Sequence, residues 1–216
     1  MLHKTADVAI AEVFEVFFVF IVELKMNLNL PILQNEQTTL PQFINFWSSF
    51  YNYPNEVLYL NIEKAQFSED DIRGLYEWKN GMPLSGTKQI SLNNKILSKI
   101  EIVNQLKRSR SVDVESFLKE FGDLSFVWKI FLLHIIKPQK FPIYDQNIHR
   151  SFNFIHSREH RGINHTIPEK NKQQFYLEDY LPFIDNLNGI PVRKIDRAFF
   201  TFGQFLNTQN YHLILE

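Results

Sequence analysis

The sequence predicts an all-helical fold, and three observations carry that prediction. Apolar residues recur at three- and four-residue spacing through most of the chain. Several of the segments so marked open on Ser, Thr or acidic residues and close on Gly or Pro, the asymmetry of helix ends. Only one short apolar run, residues 57–62, reads equally well as a strand or as a turn of buried helix.

Taken in order, Phe43, Ile44, Trp47 and Phe50 share one face of a helix over 40–51. Ser68, followed by Glu69, Asp70 and Asp71, opens a helix that Gly81 and Pro83 end. Further helices are expected over 94–107, 114–121, 125–136, 146–156, 174–187 and 193–206. The helix over 125–136 is apolar nearly all round, broken only by Ser125, Lys129 and His134, so it belongs in the centre of the core. Residues 156–173 are polar and without period, and read as a long loop. Residues 1–25 are expected to form an N-terminal apolar extension, and 26–216 a single domain. The run from Val16 to Val22 is too short to span a membrane, which takes about 20 apolar residues, and Glu12, Glu15 and Glu23 flank or interrupt it.

Composition narrows function. With 21 Phe but 7 Gly, the chain has no glycine-rich loop of the kind that cradles phosphates. A formal charge of −1 excludes a body that is basic throughout, so any nucleic-acid site has to be a local patch. The absence of cysteine excludes disulfides, thiolate zinc sites and cysteine-held iron–sulfur clusters. His156, His160 and His165 match no zinc spacing, so neither a metal nor a cofactor is expected.

The most informative stretch is Phe141-Pro142-Ile143-Tyr144-Asp145-Gln146-Asn147-Ile148-His149-Arg150. Pro142 biases Phe141 to extended angles, and Asp145 then stands at the mouth of an amphipathic helix, a place for a cap, a catalyst or both. Together with the buried helix before it, this stretch resembles the core of the helix-hairpin-helix DNA glycosylase superfamily. Phe141-Pro142-Ile143, Asp145, Asn147 and Arg150 look most like the adenine-DNA glycosylase branch. The resemblance spans residues 122–154.

The resemblance implies two helical lobes around a cleft, duplex DNA as partner and a flipped base as substrate. It implies an intracellular, cytoplasmic protein acting as a monomer without a membrane. Asp145 corresponds to the essential carboxylate, which stabilises the cationic sugar or activates water as the glycosidic bond breaks. Lys129 is the candidate for the amine of the bifunctional branch, although it falls about two residues late, and lyase activity is not expected. Gln146, Asn147 and Arg150 are candidates for DNA contact, with an intramolecular ion pair the alternative for Arg150 and a solvent-facing place that for Asn147; so are Lys107, Arg108 and Arg110 in the densest basic cluster, although such a cluster is more often a solvated loop. Trp78, Lys79 and Tyr144 are candidates for a base pocket, with a core role the alternative for the aromatics. The family hairpin, a Leu-Pro-Gly-Val-Gly type turn, is replaced here by Phe121-Gly122-Asp123-Leu124-Ser125, where Asp123 would repel a phosphate. That departure leaves a second reading, a noncatalytic helical binding module on the same scaffold.

Overall fold

The computed structural model describes residues 38–187 and 189–208, and every regular element among them is helical. The expected apolar extension over residues 1–25 lies outside the described residues. No described helix is long and apolar enough to cross a membrane.

Helix α1 (Leu40–Ser49) opens on a capping box: Thr39 Oγ1 accepts from Gln42 N, and the Gln42 side chain accepts from Thr39 N. The ambiguous run resolves as helix, α2 (Glu56–Tyr59) followed by a 3₁₀ turn (Leu60–Glu63). Helix α3 (Glu69–Asn80) has the expected ends, with Ser68 and Asp71 forming a reciprocal box and Gly81 leaving at φ 73°.

The single helix expected over 94–107 is instead broken. Helix α4 (Gly86–Lys95) stops at Ile96, where φ is −122° and ψ −55°, and a 3₁₀ turn (Leu97–Lys99) leads into α5 (Ile100–Arg108). Ile96 and Leu97 stand at the break, and both enter the core.

Helices α6 (Val114–Glu120), α7 (Phe126–Ile136) and α8 (Gln146–Ile155) follow the expected spans closely. The loop expected over 156–173 gives way at its end to α9 (Glu169–Gln174), which continues through a π-helical turn (Phe175–Tyr180) into α10 (Leu181–Asp185). Glu169 explains that start, since its carboxylate accepts from Phe126 N at the opening of α7 and from Lys172 Nζ at 2.7 Å. Helix α11 (Val192–Leu206) completes the described chain and packs against both α1 and α8.

Helix α7 is the core element its composition calls for: from Ile130 to Ile136 every residue is buried. His134 is accommodated there by two bonds. Its Nδ1 lies 2.7 Å from Phe141 O, and a carbonyl only accepts, so Nδ1 carries the proton. Nε2 must then accept from Tyr59 Oη at 2.8 Å. The extended segment after α7 is pinned from several sides. Tyr176 Oη donates to Pro142 O at 2.8 Å, and Ile143 N donates to the Asp196 carboxylate at 3.1 Å. These ties fix the point at which α8, and with it Asp145, begins.

Candidate active site at the start of helix α8

Asp145 leaves the extended segment at φ −149°, ψ 151°, and caps α8 by accepting from Asn147 N at 2.8 Å through Oδ1. Its second oxygen stays available and faces Lys79 Nζ at 3.4 Å. That ammonium also donates to Tyr144 O at 3.1 Å. The cap and the ion pair thus occupy different oxygens of one carboxylate. A charge-assisted contact across a half-buried pair holds Asp145 in place without closing it off: its side chain is 22% exposed.

Asp145 and Lys79 line a small cleft, partly open to solvent, whose cavity volume is about 20 Å³. Tyr51, Tyr53, Trp78 and Phe200 supply its aromatic walls, with Ile143 and Ile148 behind them. The rings brace one another: Tyr53 meets Trp78 at 5.2 Å and Phe200 edge-on at 5.4 Å between centroids. Arg193 and Asp196, one turn apart on α11, complete the lining.

Arg193 is the electrostatic centre of this wall. Its guanidinium lies 4.0 Å from the Tyr59 ring and 4.9 Å from that of Trp78, and donates to Tyr51 Oη at 2.9 Å and to Glu56 at 2.7 Å. Glu56 gathers further donors, from Trp78 Nε1 at 3.0 Å, Tyr51 Oη at 3.1 Å and Arg197 at 2.8 Å. Burial pushes the Glu56 carboxyl up, but the hydrogen bonds and charge of Arg193, with Trp78 and Arg197, outweigh it and hold it below its ordinary value. Asp196 is different in kind. It is 1% exposed, accepts from Ile143 N and lies 3.3 Å from Tyr180 Oη. Burial pushes its carboxyl up to about 7 against the opposing pull of Arg193, Ile143 N, Tyr180 and Lys79.

The sequence-selected residues divide sharply. Asp145, Trp78 and Lys79 come from α8 and α3 and meet in the cleft, with Trp78 in both of its readings at once, 4% exposed and part of the wall. Tyr144 does not line it. Its ring turns to Phe126 and Phe175, and its hydroxyl meets His149 Nδ1 at 3.2 Å. Lys129 is half-buried beside Glu169 and is not part of the cleft lining.

Arg150, expected at DNA phosphate, is 4% exposed. It donates to Asn147 Oδ1, Gly203 O and Ile163 O, so it is a structural tie. Asn147 is thereby engaged too, while Gln146 is exposed. Lys107 is likewise withdrawn: its Nζ donates to Ile62 O and Ile135 O, both at 3.0 Å, and sits over the Phe67 ring. Burial and the neighbouring Lys137 bring its pKa down to about 8. Arg108 and Arg110 are exposed and lie outside the cleft lining.

The turn between α6 and α7 has two of its amides committed to its own chain. Gly122 N donates to Lys119 O at 3.2 Å and Leu124 N to Phe121 O at 3.1 Å, and Gly122 has no positive φ. Lys95 Nζ donates to Asp123 O, so a cation already sits at the turn.

Sequence reasoning missed Tyr51, Tyr53, Glu56, Arg193, Asp196 and Phe200. One signal was available for Asp196, a carboxylate inside the apolar stripe formed by Ile195, Ala198, Phe199 and Phe202, since an unpaired charge is rarely placed in a core. The tyrosines reach the cleft from an irregular loop and leave no periodic trace. Among the described residues no group of acidic or histidine side chains is arranged to hold a metal ion. No family model matches the chain, and neither a curated protein nor a solved structure is significantly similar to it.

Proposed function

We propose that this protein is a DNA glycosylase-like hydrolase that takes a flipped base into the α3–α8–α11 cleft and hydrolyses its N-glycosidic bond. The observation that carries the reading is the meeting of Asp145, at the opening of α8, with Lys79 and the Trp78 wall. The half-buried rings of Tyr51, Tyr53 and Phe200 beside them suit contact with an unstacked base, and a carboxylate at the rim suits a sugar that becomes cationic as the bond breaks. Asp145 acts on the sugar and on the attacking water; Lys79 fixes the carboxylate and meets the adjoining phosphate. Water is the nucleophile, and Lys129, away from the cleft, takes no part.

The second reading, a noncatalytic binding module, is favoured by the α6–α7 turn, whose amides at Gly122 and Leu124 are already bonded within the chain. The test is single-turnover base release from duplexes carrying a panel of modified bases. The glycosylase reading expects release by the wild type and a loss of about 10²-fold or more in Asp145→Asn, with the fold intact by circular dichroism. Undiminished release by Asp145→Asn overturns it. Salt-sensitive DNA binding without release from any base moves the assignment to the module.

A further inference from the structure

The cleft is smaller than the ligand proposed for it. A cavity of about 20 Å³ holds roughly one water molecule, so a base enters only if part of the wall moves. Most of the wall is fixed. Trp78, Ile143, Ile148 and Asp196 are buried, and Lys79 Nζ is tied to Tyr144 O and Asp145. Tyr51 and Arg193 are bonded to each other and to Glu56, and Phe200 is carried within α11. Tyr53 is the exception. It stands half-buried among residues 51–53, which form no regular structure, between the exposed Asn52 and Pro54. One long hydrogen bond, from its Oη to Lys79 O at 3.4 Å, holds its tip, and its ring packs against Trp78 and Phe200.

Resting on the glycosylase reading for the kind of ligand, we propose that Tyr53 is a displaceable stand-in for the flipped base, and that the slot it vacates selects a pyrimidine with an amino group opposite its glycosidic nitrogen, the pattern of cytosine. The phenol defines the slot: one six-membered ring, attached at one end and donating a hydrogen bond from the other. Its acceptor, the Lys79 carbonyl, lies in the last turn of α3, where the residue four positions on is Pro83, which has no N–H to offer. The hydroxyl sits against the backbone there, since a Cβ on Gly81 would come 3.1 Å from Tyr53 Oη. Burial, with the Asp145 and Glu56 carboxylates, raises the phenol to about 12 against the pull of Arg193, so the group at this end of the slot is a donor. A cytosine 4-amino group can replace it; the O4 of uracil or thymine is an acceptor and would face the Lys79 oxygen. A purine brings a second ring, for which the cleft has only about one water's space. With Tyr53 swung out, the base meets the rings of Trp78 and Phe200, and the Asp145 carboxylate that now acts on the phenol faces the sugar instead.

The experiment titrates wild type, Tyr53→Ala and Tyr53→Phe with p-cresol, 1-methylcytosine, 1-methyluracil and 9-methyladenine, and reads the Trp78 indole N–H resonance. The methyl group of each probe stands for Cβ or for the sugar. Tyr53→Ala is expected to bind p-cresol and 1-methylcytosine, the latter at least about tenfold more tightly than the wild type does, as removal of a closed state favoured about ten to one requires. That variant is expected to bind 1-methyluracil about tenfold less well than 1-methylcytosine, and 9-methyladenine also less well. Tyr53→Phe, which keeps the ring and gives up only the bond to Lys79 O, is expected to gain about twofold and serves alone if the alanine variant does not fold. The proposal is overturned by no gain in either variant, by an alanine slot that rejects p-cresol, or by equal binding of 1-methyluracil or 9-methyladenine. Base release from duplexes by the wild type separates the two claims. Release alongside any of these failures leaves the glycosylase reading standing, and tight binding of 1-methylcytosine without release from any duplex upholds the slot and removes the hydrolase.

Discussion

Gly203 of α11 lies directly against the backbone of Asn147 in the first turn of α8: a Cβ built on Gly203 would fall 2.0 Å from Asn147 O and 2.5 Å from its carbonyl carbon. The two helices cross here without side chains between them, and the crossing sits two residues after Asp145. Gly203→Ala would force backbone, not a flexible side chain, to move. The expected cost is about 1–3 kcal/mol of stability or more, measured by urea unfolding. Because α8 must shift at its capped end, base release is expected to fall further than the lost stability explains, read as a lower single-turnover rate at a temperature where the variant is folded.

Arg150 spans the same crossing. Its Nη1 donates to Asn147 Oδ1 at 2.7 Å and to Gly203 O at 3.0 Å, while Nη2 reaches Ile163 O at 2.7 Å. Arg150→Met would remove the donor from Asn147 Oδ1 and Ile163 O, while Gly203 O keeps Asn207 N, and the lost charge-assisted bonds are expected to cost about 1.5–3 kcal/mol. The expected result is a substantial fall in the denaturant midpoint. If Arg150 gripped phosphate instead, the variant would flatten the dependence of DNA affinity on salt; an unchanged salt slope with lowered stability is the expected outcome.

These two residues also show why the sequence conveyed the fold better than the site. Periodicity located α3, α6, α7, α8 and α11 because each buries a repeating stripe, and the all-round apolar α7 announced its own place in the core. It failed at Ile96, where no Gly or Pro marks the break, and at Glu169, whose helix start depends on a bond to Phe126 N 43 residues away. For the site, Asp145 was legible because Pro142 and the following helix define its backbone locally. Arg150 stayed open because a cation on an amphipathic helix looks the same in sequence whether its partner is phosphate or the carbonyls of Gly203 and Ile163. Tyr51, Tyr53 and Arg193 meet only through long-range packing, the Arg193–Tyr51 bond spanning 142 residues.

Glu56 is the acceptor on which that packing converges. One carboxylate receives Arg193, Arg197, Trp78 Nε1 and Tyr51 Oη. Glu56→Gln offers a single acceptor oxygen to those donors, and its new amide protons face groups that are themselves donors. The expected loss is about 1–3 kcal/mol, with solvent access to the cluster keeping it below the cost of a fully buried pair. Trp78 provides a local reading: its indole N–H resonance in a ¹⁵N-correlated spectrum is expected to move, while those of Trp47 and Trp128 stay.

His134 and Asp196 bend the pH dependence of stability in opposite directions. Burial, opposed by the bond to Phe141, brings His134 down to about 3 from 6.5, and burial raises Asp196 from 3.8 to about 7. Between pH 5 and 6, unfolding therefore binds a proton at His134 and releases one from Asp196. Stability linked to His134 is lost as pH falls below 6.5; stability linked to Asp196 is present below 3.8 and lost as pH rises toward 7. Each proton corresponds to a slope of about 1.4 kcal/mol per pH unit, so these two contributions cancel. His149, brought down to about 4 mainly by burial, adds a slope of the same sign as His134. Removing either member of the opposed pair should expose the other. Urea unfolding at pH 5, 5.5 and 6 is expected to show stability rising more steeply with pH in Asp196→Asn than in the wild type, and less steeply in His134→Gln. Parallel pH dependences in all three proteins would mean that neither group holds its perturbed proton affinity in the folded core.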